Sequence, residues 1–513
     1  MLSLINSFAL LGLTGYNVRV EVDVSHGLPA YDVVGLADVA IKESKQRVKG
    51  AVKNSGYFYP YDRITVNLAP ADTHKEGSLF DLPIAVGLLA AAGQIDSGGK
   101  QNLNDFVFIG ELSLDGSVRK IDGLLPILIS ARANGFTKFI IPYDNRNEAS
   151  FIDGLTIYAL KSLNEVVCFF NGSMQFEKLA LRSYESSREE HRFTNDFCLV
   201  RGQASAKRAL EIAAAGGHNV LMIGPPGSGK TMLAKCFNSI LPDMTFEEAL
   251  EVTKIHSIAG VLDNKLGIVV ERPFRSPHHT ATTPALAGGG SKVKPGEISL
   301  AHNGVLFLDE IPEYNRHTLE TLRQPLEDGV VTIARSNMTL EYPCCFTLIA
   351  SMNPCPCGNY GSATKQCKCT SAQIHKYLEK LSGPLMDRID LHVEVDGISY
   401  KELAGEQEEE KSAVIKQRVD KARKIQLNRY KNKSIFNNSK MSNADIKKYC
   451  ALDASALQLM EGAFNKLGLS ARAHDRILKV SRTIADLEGS ENIKPEHLME
   501  AIGYRSLDSK YWV

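Results

Sequence analysis

Residues 1 to about 168 alternate between two kinds of apolar pattern. Short runs rich in β-branched residues, such as YNVRVEVDVS, YDRITVNLA and KFIIP, are typical of strands. Stretches such as IKESKQRVKGAVKNSG and LPILISARANG show helical spacing of their apolar residues. Strands and helices that alternate along a chain predict an α/β domain.

The polarity of the chain changes at about residue 171. Residues 171–195 are charged and serine-rich, which predicts a linker or a linking helix. A strand–turn–helix α/β unit follows, and beyond an acidic GEQEEEK stretch helical patterns continue to the end. We therefore expect an N-terminal α/β domain (1–170), a linker (171–195), an α/β core (196–395) and a helical region (396–513).

Composition narrows the possible classes of protein. The 513 residues are 44% hydrophobic, and the net charge is zero, so any nucleic-acid surface must be local. The apolar opening MLSLINSFALLGLTGYNV has no basic n-region or cleavage site and breaks at Gly12 and Gly15, which favours a buried strand over a signal peptide or membrane span. Ten cysteines without an export signal favour reduced thiols or metal ligands in a cytoplasmic protein.

VLMIGPPGSGKTMLAK is the strongest chemical signal in the sequence. An apolar strand, a glycine-rich loop and a helix follow one another, which is the context of a phosphate-binding loop. Backbone N–H groups of such a loop surround phosphate oxygens, the lysine reaches the β- and γ-phosphates, and the threonine hydroxyl binds Mg²⁺. The residues that we expect to bind ATP here are Gly224, Pro225, Pro226, Gly227, Ser228, Gly229, Lys230 and Thr231.

Two further apolar runs end in polar residues. GVLFLDEIPE ends in Asp309 and Glu310, and TLIASMNP ends in Asn353. Runs of this kind predict buried parallel strands. We expect Asp309 to hold Mg²⁺, Glu310 to polarise the attacking water and Asn353 to position that water.

The sequence resembles the magnesium-chelatase-like clade of AAA+ ATPases, and within it the ComM (YifB) subfamily. The resemblance extends through nearly the whole chain, from GLPAYDVVGLADVAIKES and VNLAPAD to GPLMDRIDLHVEV and LSARAHDRILKVSRTIADL. It implies an AAA+ core with a helical lid. It also implies that Arg388 in LMDRID is an arginine finger acting on a neighbouring subunit. Gln203 would lie near the adenine, and Arg472 in LSARA would be a second sensor over its own nucleotide, with Arg476 as an alternative one helical turn further on.

The resemblance also implies a function. Such a chain would form a hexameric ring that moves on DNA and drives branch migration of recombination intermediates during uptake and integration of foreign DNA. One alternative is a magnesium-chelatase motor subunit, although the Asp-x-Ser-x-Ser motif of its metal-binding adhesion domain is not found. The other alternative is an ATP-dependent protease.

The protease alternative depends on residues 75–85 (KEGSLFDLPIA) and 109–127 (IGELSLDGSVRKIDGLLPI). They resemble the Lon-type proteolytic domain, an S5-type α/β fold. The places of that family's serine nucleophile and partner lysine are taken by Leu79 and Leu125, and a leucine cannot be a nucleophile. We expect the fold without the dyad, used for assembly or DNA binding, and the alternative is a protease using Ser78 with Lys75 or Lys120.

DNA contacts are expected in two segments. Residues 328–346 alternate apolar and polar positions around Arg335, Ser336 and Asn337, which predicts a β-hairpin. In the resembled clade such a hairpin reaches the pore of the ring. A glycine-rich stretch from about 257 to 304 resembles the second pore-facing loop, and its candidate phosphate contacts are Arg275, His278, His279, Lys292 and Lys294. A solvated loop is the alternative.

Four cysteines follow the Asn353 strand. Cys355, Cys357, Cys367 and Cys369 form two Cys-x-Cys pairs separated by nine residues. Four thiolates brought together by a short loop match structural zinc, and free reduced thiols are the alternative. Four thiolates leave no open coordination position, so the metal would not be catalytic.

Residues 411–448 are strongly basic, with twelve lysines and arginines against two aspartates. This run is either a solvated helix face or an arm that contacts DNA.

Overall fold

The computed structural model describes residues 1–95, 101–189, 195–290, 293–335, 338–361, 365–397, 409–431, 433 and 435–511. The chain divides into two units. The first comprises Met1–His191 with Phe246–Val270, and the second comprises Arg192–Thr245 with Glu271–Val513. Within the described residues, no helix is both long and apolar enough to cross a bilayer.

The first unit is built on a mixed seven-stranded sheet with the order β3-β4-β2-β1-β5-β8-β9. Its strands, with the short pair β6 and β7, are β1 Leu2–Leu11, β2 Thr14–Ser25, β3 Ala30–Val34, β4 Arg63–Ala69, β5 Phe106–Phe108, β6 Glu111–Leu112, β7 Val118–Arg119, β8 Lys138–Pro142 and β9 Thr156–Leu160. Its helices up to residue 191 are α1 Val39–Asn54, α2 Asp81–Ala91, α3 Leu124–Ala133, α4 Arg146–Ala149, α5 Leu163–Phe170 and α6 Tyr184–Glu189.

The alternating sequence of β2 explains how this sheet is covered. Val18, Val20 and Val22 are fully buried, and the charged residues between them lie outward. Helix α2 is buried along its whole length and lies over this face. At Gly87 a Cβ atom would stand 2.7 Å from Cγ2 of Val22, so only a glycine permits this close approach of helix and strand.

The second unit contains a parallel five-stranded sheet with the order β11-β14-β17-β10-β18. The strands of this unit are β10 Val220–Ile223, β11 Phe274–Arg275, β12 Gly288–Gly289, β13 Lys294–Pro295, β14 Val305–Leu308, β15 Val330–Arg335, β16 Met338–Pro343, β17 Thr347–Met352 and β18 Leu391–Glu394. The helices of the chain between residues 204 and 386 are α7 Ala204–Gly216, α8 Lys230–Phe237, α9 Phe246–Ala259, α10 Thr283–Ala287, α11 Glu297–Leu300, α12 Arg316–Glu320, α13 Arg323–Asp328, α14 Ser371–Leu378 and α15 Gly383–Met386.

Helix α9 follows α8 in sequence but belongs to the first unit. Its Ser257 hydroxyl donates to the buried carboxylate of Glu148, and its Ser257 carbonyl accepts from the Gly123 N–H at 3.2 Å. The same carboxylate accepts from the Leu125 N–H at 3.0 Å. The segment 246–270 is thus an insertion, between α8 and β11, that completes the fold of the first unit.

The C-terminal part of the second unit is helical, as the sequence predicts. Its helices are α16 Ser412–Arg429, α17 Asn443–Tyr449, α18 Ala454–Leu467, α19 Ala471–Leu487, α20 Pro495–Gly503 and α21 Ser506–Tyr511. The fully buried carboxylate of Asp486 on α19 accepts hydrogen bonds from Arg429 and Arg482 and so joins α16 to α19. The predicted α/β class with a helical C-terminal region is confirmed.

Candidate active site

The predicted phosphate-binding loop connects β10 to α8. All four residues of β10 are buried, and Lys230 is the first residue of the helix. Gly227 and Gly229 have φ angles of +79° and +88°, a region that glycine adopts at little cost. The Lys230 ammonium donates to the carbonyl oxygens of Gly224 and Pro225, both at 2.8 Å. Burial lowers the pKa of Lys230, because the charged form loses hydration.

Strand β14 carries the predicted magnesium residue to this loop. The Thr231 hydroxyl donates to the Asp309 carboxylate at 2.9 Å. Hydroxyl and carboxylate oxygens are ligands that Mg²⁺ prefers, so this pair fits the ion. Ser351 also donates to Asp309, and it accepts the Glu310 N–H at 3.2 Å. Ser351 belongs to no recognised motif, and the one signal for it in the sequence is its place near the end of a buried strand.

Asn353 completes a polar cluster at one edge of the sheet. It directly follows β17, and its Oδ1 lies 3.5 Å from Lys230 Nζ. The phosphate-binding loop, Asp309 and Asn353 therefore all lie at the carboxyl ends of adjacent parallel strands. This is where α/β sheets bind ligands.

Gln203 lies beside the same edge. It has a φ of +59° before α7, and its Nε2 donates to the Asp396 carbonyl at 2.7 Å. With Arg201, Glu394 and Gly397 it lines a cavity of about 220 Å³ beyond the carboxyl end of β18. Because β18 neighbours β10, this cavity lies next to the end of the sheet that carries the phosphate loop, and the role of Gln203 beside an adenine stays a prediction.

Arg388 lies at the opposite edge. Its carbonyl accepts from Asn219 Nδ2 at 2.8 Å, and Asn219 immediately precedes β10 while Arg388 precedes β18. The guanidinium donates to the Pro384 carbonyl at 2.7 Å and to Glu327. The four residues of β10, at about 3.3 Å each, separate this edge from the phosphate loop by about 13 Å.

Arg472 lies with Arg388 and not over the phosphate loop. It pairs with Asp387 at 3.5 Å, and both arginines line one cavity of about 360 Å³ together with Gly217 and Asn219. The structure therefore places Arg472 beside Arg388, away from the phosphate loop that the expectation assigned to it. The physical reason is that the packing of α19 holds this residue at the amino edge of the sheet.

That packing centres on a buried carboxylate. Asp390 accepts from Arg476 and from the Asn219 N–H at 3.1 Å, and it contacts His218 Nδ1 at 3.3 Å. Burial alone would raise the pKa of Asp390, but the Arg476 guanidinium and His218 outweigh burial and hold this pKa well below its usual range. Arg476 is thus engaged in holding α19 against β18.

Comparisons with known proteins agree with this architecture. A family model described as magnesium chelatase, subunit ChlI, matches residues 196–403, and two others, described as subunit ChlI of Mg-chelatase and as its C-terminal part, match 20–145 and 409–505. The chain is 44% identical over 513 residues to the competence protein ComM of Haemophilus influenzae, covering 99% of this chain and 98% of that protein. It is 43% identical over 511 residues to YifB of Escherichia coli, covering 99% and 97%. The chain belongs to the ComM/YifB family.

The ComM/YifB family is related to the magnesium chelatases at a greater distance. The magnesium-chelatase 38 kDa subunit of Rhodobacter capsulatus is 24% identical over 177 residues, which is 31% of this chain and 50% of that protein. The three family models all describe AAA+ ATPase subunits, so this ComM/YifB chain is an AAA+ ATPase, and ATP with Mg²⁺ is what its phosphate loop implies.

The four predicted cysteines of this ComM/YifB chain come together after β17. Their Sγ atoms all lie within 4.8 Å of one another, and three of the separations are 3.4, 3.6 and 3.7 Å. A tetrahedral zinc site with bonds of about 2.3 Å needs sulfurs about 3.8 Å apart, so the cluster fits a thiolate-bound metal. Backbone N–H groups of Lys368 and Asn359 lower the pKa of Cys357 to about 6, whereas burial raises that of Cys369 to about 12.

The predicted hairpin is present as the antiparallel pair β15 and β16, with Arg335 opposite Met338 at its end. Asn337 and Lys292 lie outside the described residues. Lys294 is exposed in β13. The Arg275 guanidinium makes two hydrogen bonds to Glu297, at 2.6 and 2.7 Å, so it already has an anionic partner.

Three of the twelve lysines and arginines in the basic run 411–448 make the following ion pairs within their own unit. Arg418 pairs with Glu211, Arg429 with Asp486, and Lys433 with Asp445. These contacts support the interpretation as a lid surface over the interpretation as an arm that contacts DNA.

The structure does not bring the residues of the alternative protease dyad together. The Ser78 hydroxyl donates to Glu111, and Lys120 donates to Asn264. Lys75 is fully buried, and its ammonium has no hydrogen-bond partner among the described residues. None of the described hydrogen bonds joins Ser78 to either lysine.

Proposed function

We propose that this chain is the subunit of a hexameric, ATP-driven DNA motor of the cytoplasm. The motor promotes branch migration of recombination intermediates, as in the integration of DNA during natural transformation. Support comes from the relative named competence protein ComM, which aligns over 98% of its length. The structural observation that carries the proposal is that the expected ATPase residues lie at two opposite edges of the five-stranded sheet.

That arrangement separates two halves of one chemical site. Lys230, Thr231 and Asp309 lie at the carboxyl edge of the sheet, and Arg388 with Arg472 lies at the amino edge. A nucleotide held by the phosphate loop is out of reach of both arginines of the same chain. In a ring, the amino edge of one subunit faces the phosphate loop of the next, so both arginines act on the neighbour's ATP.

The residues then take distinct roles in hydrolysis. Lys230 and the loop N–H groups bind the phosphates, and Mg²⁺ held by Thr231 and Asp309 would neutralise charge on their oxygens. Glu310 takes a proton from the attacking water, which Asn353 holds in line. Arg388 from the neighbour stabilises the charge that develops on the γ-phosphate.

The hairpin β15–β16 is the proposed DNA contact. In the sequence it lies between β14 and β17, the strands that directly precede Asp309 and Asn353. Arg335 at its end would contact backbone phosphates, which gives affinity without sequence preference. Lys294, Lys292 and Asn337 are proposed as further contacts.

The rival functions have less support. The magnesium-chelatase 38 kDa subunits align over 31% of the chain, whereas ComM aligns over 99% of it. The protease alternative lacks an assembled dyad among the described residues.

Three- and four-stranded DNA junctions provide the test. With ATP, the protein should convert a junction to exchanged duplexes, and the Glu310→Gln variant should bind the junction without converting it. Arg335→Ala should lose DNA stimulation of the ATPase, whereas Lys448→Ala, from the basic run, should retain it. ATP hydrolysis that no DNA stimulates, with no junction converted, would contradict the proposed motor.

We also propose that the four cysteines bind one structural Zn²⁺ per chain. Metal analysis of protein kept reduced should give about one zinc, and the double variant Cys355→Ser with Cys357→Ser should lose it. Cys345→Ser, which changes a thiol outside the cluster, is the matched control. Reduced wild-type protein without stoichiometric zinc would rule out the site.

A further inference from the structure

The loop that carries the four cysteines is adjacent to the nucleotide site. Cys355 follows Asn353 by two residues and is fully buried. The N–H of Gly358 donates to the Cys355 carbonyl at 2.9 Å, which closes a tight turn around the first pair of thiols. Gly358 adopts a φ of +76° in this turn.

That turn rests directly on the phosphate-binding loop. A Cβ atom at Gly358 would stand 2.5 Å from Cδ and 2.9 Å from Cγ of Pro226. Pro226 is the third residue of the phosphate loop, and its ring cannot rotate away as a long side chain can. The backbone of the cysteine turn therefore packs directly against the phosphate-binding loop at Pro226.

The same segment reaches the other end of the nucleotide site. The Tyr360 ring packs edge-on against Tyr511, with centroids 6.3 Å apart. The Tyr511 hydroxyl donates to Glu394 at 3.0 Å, and Glu394 lines the cavity beside Gln203. One short segment thus contacts the phosphate side and supports the expected adenine side.

We infer that metal bound by the four thiolates holds the phosphate-binding loop in its binding conformation, so that ATP affinity depends on metal occupancy. This inference rests on the proposed zinc site. The described residues of this segment, 355–361 and 365–369, include Pro356, Gly358 and Gly361 and have few described backbone hydrogen bonds, so the cross-link through the metal is what restrains them. Without the cross-link, the turn no longer holds Pro226 in place, and the loop must be ordered by the nucleotide itself.

The first test compares one protein with and without its metal. Zinc is removed with a zinc-selective chelator, excess Mg²⁺ is restored, and the affinity for a fluorescent ATP analogue is measured. We expect the dissociation constant to rise at least tenfold, and to recover when zinc is added back. Cys345→Ser should show the same zinc-dependent change as the wild type.

The second test leaves all four thiols in place. Gly358→Ala should keep its zinc but bind the nucleotide at least tenfold more weakly, since its Cβ displaces Pro226. Gly361→Ala is the matched control, because Gly361 has a φ of +74° and no described atom within 4 Å of its Cβ position. Both substitutions cost the same backbone strain, and only one meets the phosphate loop.

The outcomes separate the inference from the zinc site. Reduced protein without zinc removes the site and the inference together. Protein that holds zinc, but whose nucleotide affinity is unchanged when zinc is removed, keeps the site and overturns the inference. If removal of zinc unfolds the protein, the glycine pair decides: equal nucleotide affinities of Gly358→Ala and Gly361→Ala overturn the inference.

Discussion

Thr231 and Asp309 are 78 positions apart in the sequence, yet a single hydrogen bond joins them. Their contact fixes the relative position of the phosphate loop and the Glu310 carboxylate, which follows Asp309 on a backbone with a φ of +50°. Few non-glycine residues adopt this conformation, and such strain is concentrated at functional sites. This conformation turns the backbone at Glu310 away from the direction of β14.

At this scale the nucleotide residues make a direct prediction. Lys230→Ala should weaken ATP binding by roughly 10- to 100-fold, because a charge-assisted contact worth about 1.5–3 kcal/mol is lost. Glu310→Gln should bind ATP normally but lose roughly 10²- to 10⁴-fold in turnover, because the amide cannot accept the proton. Fluorescent nucleotide binding and phosphate release measure the two steps separately.

Glu313→Gln is the control for Glu310→Gln, since Glu313 lies on the same turn and its carboxylate makes an exposed pair with Lys380. Turnover by Glu310→Gln at the wild-type rate would show that another group activates the water.

The sequence motifs located these residues because each lies next to the strand that positions it. Lys230, Asp309 and Asn353 are all within one residue of a strand or loop with an unmistakable pattern. Arg472 was different. Its neighbours in the sequence identify a helix, but the edge of the sheet on which that helix lies depends on Asp390, which is 82 residues away in the chain. Long-range packing of this kind leaves no local signal.

At the scale of elements, Asp390 connects β18 to α19 and to the residue before β10. Its carboxylate is fully buried and is satisfied by Arg476, His218 and the Asn219 N–H. This carboxylate therefore holds helix α19 of the lid against the sheet. Arg472 lies on the same helix, so its position depends on this contact.

Asp390→Asn should lower the free energy of unfolding of the second unit by about 3–5 kcal/mol at neutral pH, because Arg476 loses a buried ionic partner. The folded pKa of Asp390 is depressed, so its contribution is fully present above the unfolded value of about 3.9 and is lost as pH falls below that value. Denaturation of wild type and variant at several pH values should show the difference shrinking below about pH 4.

Lys380→Ala removes an exposed pair in the same unit and should change stability by less than about 1 kcal/mol. A difference between wild type and Asp390→Asn that grows as the pH falls would show that the carboxylate is not ionised in the folded state.

At the scale of the whole molecule, the two edges of the ATPase sheet imply that a lone subunit is a poor enzyme. Hydrolysis per chain should rise with protein concentration and with DNA that promotes ring closure. Arg388→Ala should keep ATP affinity and lose roughly 10³- to 10⁵-fold in turnover, because charge on the γ-phosphate is no longer neutralised.

Mixing the inactive proteins Arg388→Ala and Glu310→Gln gives a sharper result. An Arg388→Ala subunit retains Glu310 and can receive the finger of a Glu310→Gln neighbour, so some phosphate release should return. Arg323→Ala is the control, because that arginine pairs with Glu320 on its own surface and should leave hydrolysis unchanged. A mixture that co-assembles and stays inactive would exclude Arg388 as a finger acting between subunits.

The insertion at 246–270 limits how the gene for this chain can be rearranged. A crossover near residue 192 between two family genes would exchange the first 191 residues but keep the old insertion. Ser257 of the retained insertion would then lie against the residue that the other gene has in place of Glu148. The hydrogen bond that Ser257 donates to the buried Glu148 carboxylate could be lost. Deletion of residues 1–191 would similarly strip the apolar partners from α9. The fold of the N-terminal unit therefore depends on two separate stretches of the gene, those that encode residues 1–191 and 246–270.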